Sequence, residues 1–266
     1  MEAEIKIIAG PCALLPDADR MIKLAKNLKE AGADVFRGAT HKGGTFPPKD
    51  GKVWGTGDYK LLARIKDETG MEVSNEIATL PQMYAQWWAG YIWIRARSFQ
   101  DYALVREVAK ICAVGTPNWE AGPAVLGQPP TGQTLMLKRG PGATPRDCFG
   151  MIEHCASVGY PIDRLWIVER GVAALGTDDI SRWRIDFTII PQIKEKYPMV
   201  KVCVDVTHGC GRREWVEPLS KASISAGADG LMLEVLDVPD ESPSDARETI
   251  DLETFKRIAD YAKGAK

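Results

Sequence analysis

The sequence predicts an α/β fold, a single (β/α)8 (TIM) barrel spanning residues 1–266. Three observations predict it. Eight short apolar runs recur, at 5–9, 34–36, 71–77, 91–94, 134–137, 165–168, 202–206 and 231–235. Segments of helical period separate them, and strand alternating with helix implies a parallel sheet. Almost every run then ends in a charged or metal-competent residue. Random surface charge would scatter over both faces, whereas barrels gather functional groups at the carboxyl ends of their strands. An open doubly wound sheet is the alternative; eight units favour closure.

The elements follow in order. Residues 18–31 place Met21, Leu24, Ala25 and Leu28 on one helical face, and Gly32 stops the run. Residues 59–69 carry Leu61, Leu62 and Ile65 before Gly70, and a further helix is expected over 101–112. Between it and the fifth strand, a Gly/Pro-rich stretch at about 114–132 reads as a loop insertion on the amino-terminal face, a structural plug or a subunit contact. The helix over 144–158 opens with Thr-Pro, a cap followed by a first-turn proline, and ends at Gly159. The segment 214–226 ends at Gly227, and 252–262 closes the chain.

Composition narrows the class. Hydrophobic content of 45% and charged content of 26% suit a globular protein, and a net charge of −2 gives no electrostatic reason to expect nucleic acid or an anionic membrane. No apolar run nears the ~20 residues of a membrane span. The N-terminus lacks a signal peptide's basic start and apolar core. Six cysteines without a CxxC pair read as reduced thiols, so the expected compartment is the cytoplasm. No P-loop, GxGxxG or serine-hydrolase elbow is present.

The stretch 201–245 carries the chemistry. A strand–helix–strand unit of this length sets two parallel strands side by side with their carboxyl ends together. His208 and Glu234 then occupy neighbouring strand ends, and a loop brings Asp245 over them. Cys12, at the end of the first strand, faces the same mouth. One sulfur, one nitrogen and two carboxylates suit a divalent metal, and ligand softness does not choose among Zn, Fe and Mn. Arg37, Lys42, Arg97, Lys138 and Arg170 aim into the mouth from different strands. Such a cluster fits a small, highly charged anion such as a phosphorylated carboxylic acid. His154 falls within a helix and reads as structural; His41 lies on the active-face side.

At these residues the chain resembles the metal-dependent 3-deoxy-D-arabino-heptulosonate 7-phosphate (DAHP) synthases, the compact subgroup without a regulatory extension. The resemblance covers nearly the whole length. It rests on AGPC at 9–12, on FRG with a following lysine and TxP at 36–47, and on RAR at 95–97, where the family has GAR. It continues with LKRG at 137–140, ERG at 169–171, and DVTH at 205–208 for the family's DPSH. GRR at 211–213, GADGLMLEV at 227–235 and the SD at 244–245 complete it. The resemblance implies condensation of phosphoenolpyruvate (PEP) with a sugar aldehyde, erythrose 4-phosphate giving DAHP and phosphate. It carries Cys12, His208, Glu234 and Asp245 over as ligands of a divalent metal (Mn, Fe, Zn or Co). It carries Arg37, Lys42, Arg97, Lys138 and Arg170 over as PEP-binding groups, and Glu76 as a carboxylate near the PEP. Lys42, Glu76 and His208 are the expected catalytic residues, with Lys42 the proton donor. The expected assembly is a homo-oligomer, a dimer or tetramer. Octulosonate 8-phosphate synthases are less similar, and sialic acid synthases share only the general scheme.

The departures fall on the acceptor side. The family's KPRTSP is here Lys42-Gly43-Gly44-Thr45-Phe46-Pro47, so the arginine that holds the aldehyde's terminal phosphate is Gly44. Losing a forked phosphate contact costs about 1.5–3 kcal/mol unless it is replaced. Arg95 and Lys49 are the residues expected to restore the charge, and Thr45, Asp205 and Arg95 are the candidate aldehyde contacts. The family's EVH is Glu234-Val235-Leu236, and Val172-Ala173-Ala174 follow ERG where RT is usual. Three readings follow: a DAHP synthase, the same chemistry on another aldehyde, or a catalytically silent barrel that binds a phosphorylated ligand.

Overall fold

Side chains alternate across a strand, so each barrel strand must divide its residues between the interior and the surrounding helices. The computed structural model describes residues 4–40, 59–77, 93–96, 106, 109, 134–173 and 183–264. Eight parallel strands close into a barrel in sequence order: β1 Lys6–Gly10, β2 Val35–Arg37, β3 Glu72–Ile77, β4 Trp93–Ala96, β5 Thr134–Lys138, β6 Leu165–Glu169, β7 Lys201–Asp205 and β8 Gly230–Glu234. These are the expected runs, shifted by a residue or two. The closure is made by β1 against β8, in register from Lys6↔Gly230 to Gly10↔Glu234.

The interior holds Ile8, Val35, Met136, Trp166, Val168, Cys203 and Met232 as one buried cluster. The alternate positions, among them Ile7, Phe36, Val73, Leu135, Ile167, Val204 and Leu233, join the larger core beneath the helices. One step of two residues beyond the interior cluster lie Gly10, Arg37, Lys138, Arg170, Asp205 and Glu234. Strand periodicity alone therefore turns these charged side chains into the carboxyl mouth.

Helix α1, Ala18–Ala31, begins where the Asp17 side chain accepts from the Arg20 amide and ends at Gly32 in the left-handed conformation (φ 108°). Helix α2 spans Tyr59–Thr69. Helix α3, Pro145–Ser157, opens with a capping box between Thr144 and Asp147 and carries His154, half-buried, in its last turn.

Helix α4, Ile189–Lys196, was not expected. Its run of β-branched residues and Pro191 hide it. Proline in a first turn removes only an amide that lacks a helical partner, and Ile189, Ile190 and Ile193 are buried.

Residue Val206, expected in a strand, starts a one-turn helix, α5 Val206–Cys210. Asp205 ends β7 and caps this turn by accepting from the His208 amide at 3.4 Å, and Gly211 (φ 71°) closes it. Helices α6, Arg213–Ser225, and α7, Leu252–Gly264, follow. No helix among the described residues is long and apolar enough to cross a membrane. Lys42, Thr45, Gly44, His41, Lys49, Arg97, the stretch at about 114–132 and most of the expected helix 101–112 lie outside the described residues.

One position at the closure admits no side chain. Gly10 has φ 150°, and a Cβ there would overlap the Arg37 carbonyl. Gly10→Ala is expected to destabilise the fold by about 2–4 kcal/mol, from backbone strain plus overpacking. Urea unfolding checks this; an unchanged midpoint contradicts it.

Candidate active site

Four ligand-type side chains arrive at one point from three parts of the chain. Cys12 follows β1, His208 stands on α5 after β7, Glu234 ends β8, and Asp245 lies in the loop beyond it. Their candidate ligand atoms all lie within 4.8 Å of one another. His208 Nε2 is 3.0 Å from Glu234 Oε1 and 3.8 Å from both Cys12 Sγ and Asp245 Oδ2. Cys12 Sγ is 3.1 Å from Asp245 Oδ2. Ligands held at about 2.0–2.3 Å from a common ion stand at such separations, so the set fits a divalent metal. Cys12, His208 and Glu234 are buried and Asp245 is half-buried. Asp245 is also the single non-glycine residue of positive φ (57°) among the described residues. Such strain persists where its surroundings over-determine it, often at a functional site.

The histidine is aimed from behind. Its Nδ1 lies 2.9 Å from Asp205 Oδ1, leaving Nε2 toward the other three groups. Burial alone would raise the Asp205 pKa; His208, Lys138 and Arg37 overcome it and hold the carboxyl well below the ordinary range. Asp205, expected among the aldehyde contacts, is thus fully enclosed, with Lys138 Nζ 3.3 Å from its second oxygen. Asp205 lies in phase with Cys203, so it ends its strand inward, where its carboxyl backs His208.

The basic side of the mouth adjoins the same point. Arg37 is buried, and its Nη2 lies 3.1 Å from Glu234 Oε1. Arg37 Nε and Nη1 and Arg170 Nε, all buried, find no hydrogen-bond partner among the described residues. Buried donors of this kind suit an anion. Lys138 reaches Glu76 at 3.4 Å as well as Asp205, so the Glu76 carboxylate lies beside one of the expected anion-binding cations. Arg95 lies in β4 in register with Glu76 and Met136. Of the five expected anion-binding cations, the described structure brings Arg37 against Glu234 of the ligand cluster, sets Lys138 against Asp205 behind His208, and places Arg170 just after β6; Lys42 and Arg97 lie outside the described residues.

A second polar layer escaped the sequence reading. Arg139 and Glu169 are one residue out of phase with Lys138 and Arg170, so they point away from the interior. Arg139 Nη1 contacts Glu169 Oε2 and Asp186 Oδ2, both at 2.8 Å, and its Nε donates to the Ala143 carbonyl. Glu169 also accepts from the Gly171 and Asp186 amides. This knot anchors the ends of β5 and β6, which carry Lys138 and Arg170. Burial lifts the Glu169 pKa above the usual carboxylate value in spite of Arg139. At Asp186 burial is again the largest influence, but Thr188 and Arg139 outweigh it and hold the carboxyl below its ordinary value. Elsewhere, burial pushes the Cys148 and Cys155 thiols up to about 12, consistent with inert structural thiols.

A closed β/α barrel with an S/N/O donor set and buried cations at its carboxyl mouth defines an enzyme scaffold for anionic substrates. Comparison with known proteins makes the class specific: the profile of the DAHP synthetase I family matches residues 2–265, and the chain belongs to that family. It is therefore a PEP-dependent synthase of the aldolase type. It is 29% identical over 257 residues to phospho-2-dehydro-3-deoxyheptonate aldolase from Thermotoga maritima, covering 97% of this chain and 68% of that protein. It is 24% identical over 271 residues to 2-dehydro-3-deoxyphosphooctonate aldolase from Rhodopseudomonas palustris, covering 96% and 85%. The crystal structure of the Thermotoga maritima DAHP synthase superposes with a TM-score of 0.81 at 25% identity, covering 99% of this chain and 69% of that one.

Asp186 gives a pH test of the anchoring knot. A carboxyl whose folded pKa is depressed contributes stability that is present above its unfolded pKa of about 4 and lost as pH falls through the folded value. Asp186→Asn is expected to be less stable than the parent at pH 6, and the gap should narrow as pH falls below about 4. Chemical unfolding across that range measures it; a gap that widens in acid contradicts the assignment.

Proposed function

We propose that the chain catalyses a metal-dependent condensation of PEP with a phosphorylated sugar aldehyde, with erythrose 4-phosphate as the acceptor, giving DAHP and phosphate. The observation that carries this reading is the meeting of Cys12, His208, Glu234 and Asp245 beside buried Arg37 and Lys138. A divalent ion bound there supplies Lewis acidity toward the aldehyde oxygen.

The chain's own residues supply the rest. Asp205 fixes the His208 tautomer by accepting from Nδ1, so that Nε2 presents its lone pair to the ion. Arg37, Lys138 and Arg170, joined by Lys42 and Arg97, hold the carboxylate and phosphate of PEP with its C3 against the aldehyde carbon. As that carbon–carbon bond forms, positive charge develops at C2. Water adds at C2, and phosphate leaves by C–O cleavage. Lys42 protonates the former aldehyde oxygen. Glu76, beside Lys138, sets the charge of the pocket around the PEP.

One observation favours a second reading of the acceptor. Gly44 stands where the family's acceptor-phosphate arginine belongs. The same PEP chemistry on a different aldehyde accommodates that loss, and the octulosonate-type relatives show that the scaffold is shared by enzymes named for another product. Retention of all four ligand-type residues weighs against a catalytically silent barrel.

Phosphate release from PEP across a panel of aldehydes tests the reaction. Turnover with erythrose 4-phosphate, abolished by exhaustive chelation and restored by added metal, is the expected result; release only with another aldehyde moves the assignment to the second reading. Full activity after chelation contradicts the metal centre. Asp205→Asn is expected to lower metal affinity or turnover about 10- to 100-fold. A variant that matches the parent in both removes Asp205 from the orienting role.

A further inference from the structure

Asp245 is the one ligand-type residue that comes from a long loop, and it does so in a strained conformation. What holds it there is a short arch built on its own carbonyl. That oxygen accepts from the Glu248 amide at 3.1 Å, the Thr249 amide at 3.1 Å and the Thr249 hydroxyl at 2.9 Å. The arch is gripped from outside by the Arg213 side chain. Its Nε donates to the Thr249 carbonyl at 2.6 Å, and its Nη2 donates to the Ala246 carbonyl at 2.8 Å and to Asp240 at 2.6 Å. Its own amide donates to the Arg247 carbonyl at 3.1 Å. Arg213 opens α6, two residues after Gly211, which ends the helical turn carrying His208. One residue therefore ties the element bearing the imidazole to the loop bearing the last carboxylate.

From this geometry we propose that Arg213 is a positioning residue for the metal centre: it fixes the 245–249 arch relative to α5 and so holds the Asp245 carboxylate against Cys12 and His208. The inference rests on the metal reading above. Its physical content is the fork. A planar guanidinium can satisfy carbonyls in two directions at once, whereas a lysine ammonium keeps the charge without that geometry. The contact with Asp240 contributes little, because that carboxylate is 84% exposed. The contacts to the arch backbone do the holding.

The test is a cobalt(II) titration of the full metal-free chain, read by thiolate-to-cobalt absorption, with unfolding of the metal-free protein measured alongside. Arg213→Lys and Arg213→Ala are each expected to raise the cobalt Kd about 10- to 100-fold. In an Asp245→Ala background, the same substitutions are expected to change the Kd by less than about twofold, because the ligand they position is already gone. Equal cobalt affinity in parent and variants overturns the proposal. So does a loss of equal size in both backgrounds, which marks a general loosening of the fold. Failure of the parent itself to bind cobalt overturns the metal reading, and this assignment with it, so the two failures are distinguishable.

Discussion

The site depends on closure of the barrel by β1 against β8. The two strands lie at opposite ends of the chain and pair in unbroken register up to Gly10↔Glu234. That last pair sets the distance across which Cys12 meets the carboxylates of Glu234 and Asp245. It also explains the glycine: a side chain at Gly10 would push against the Arg37 carbonyl and spread β1 from β2 beside the centre. An open sheet of the same strands would leave the thiol and the imidazole at opposite edges.

A second constraint is the strict alternation of side chains. It delivers Arg37, Lys138, Asp205 and Glu234 inward and Arg139 and Glu169 outward, so two charged layers form at the carboxyl end. The inner layer places buried acids and bases in contact at the mouth, with Glu234 shared between Arg37 and His208 and Asp205 shared between His208 and Lys138. Each of these charges has an oppositely charged or imidazole partner within 3.3 Å. The arrangement is costly in isolation, since buried charges need good geometry to offset desolvation. The outer layer, Arg139 with Glu169 and Asp186, contacts no candidate ligand and keeps the inner one in place.

Much of this was legible in the sequence. The eight strands, the order of the motifs and the four ligand-type residues could be read because short apolar runs and strand-end chemistry are local signals. α1 and α2 could be read to the residue, because a one-faced apolar pattern ends at Gly32 in one and before Gly70 in the other. What escaped depends on contacts between distant segments or on competing local preferences. Ile189–Lys196 hid behind β-branched residues and a proline. His208 was expected at a strand end, while the structure sets it on a helical turn that Asp205 caps. Arg213 stood in the sequence as part of a motif, and only the folded loop shows what it grips.

The central claim is that one thiolate, one imidazole and two carboxylates surround a single divalent ion. X-ray absorption spectroscopy of the zinc- or cobalt-loaded protein tests it most directly. The account predicts one sulfur scatterer at about 2.3 Å together with nitrogen and oxygen scatterers at about 2.0–2.2 Å, and loss of the sulfur shell in Cys12→Ser. A bound ion with only nitrogen and oxygen neighbours in the parent protein, or a sulfur shell that survives in Cys12→Ser, would contradict it.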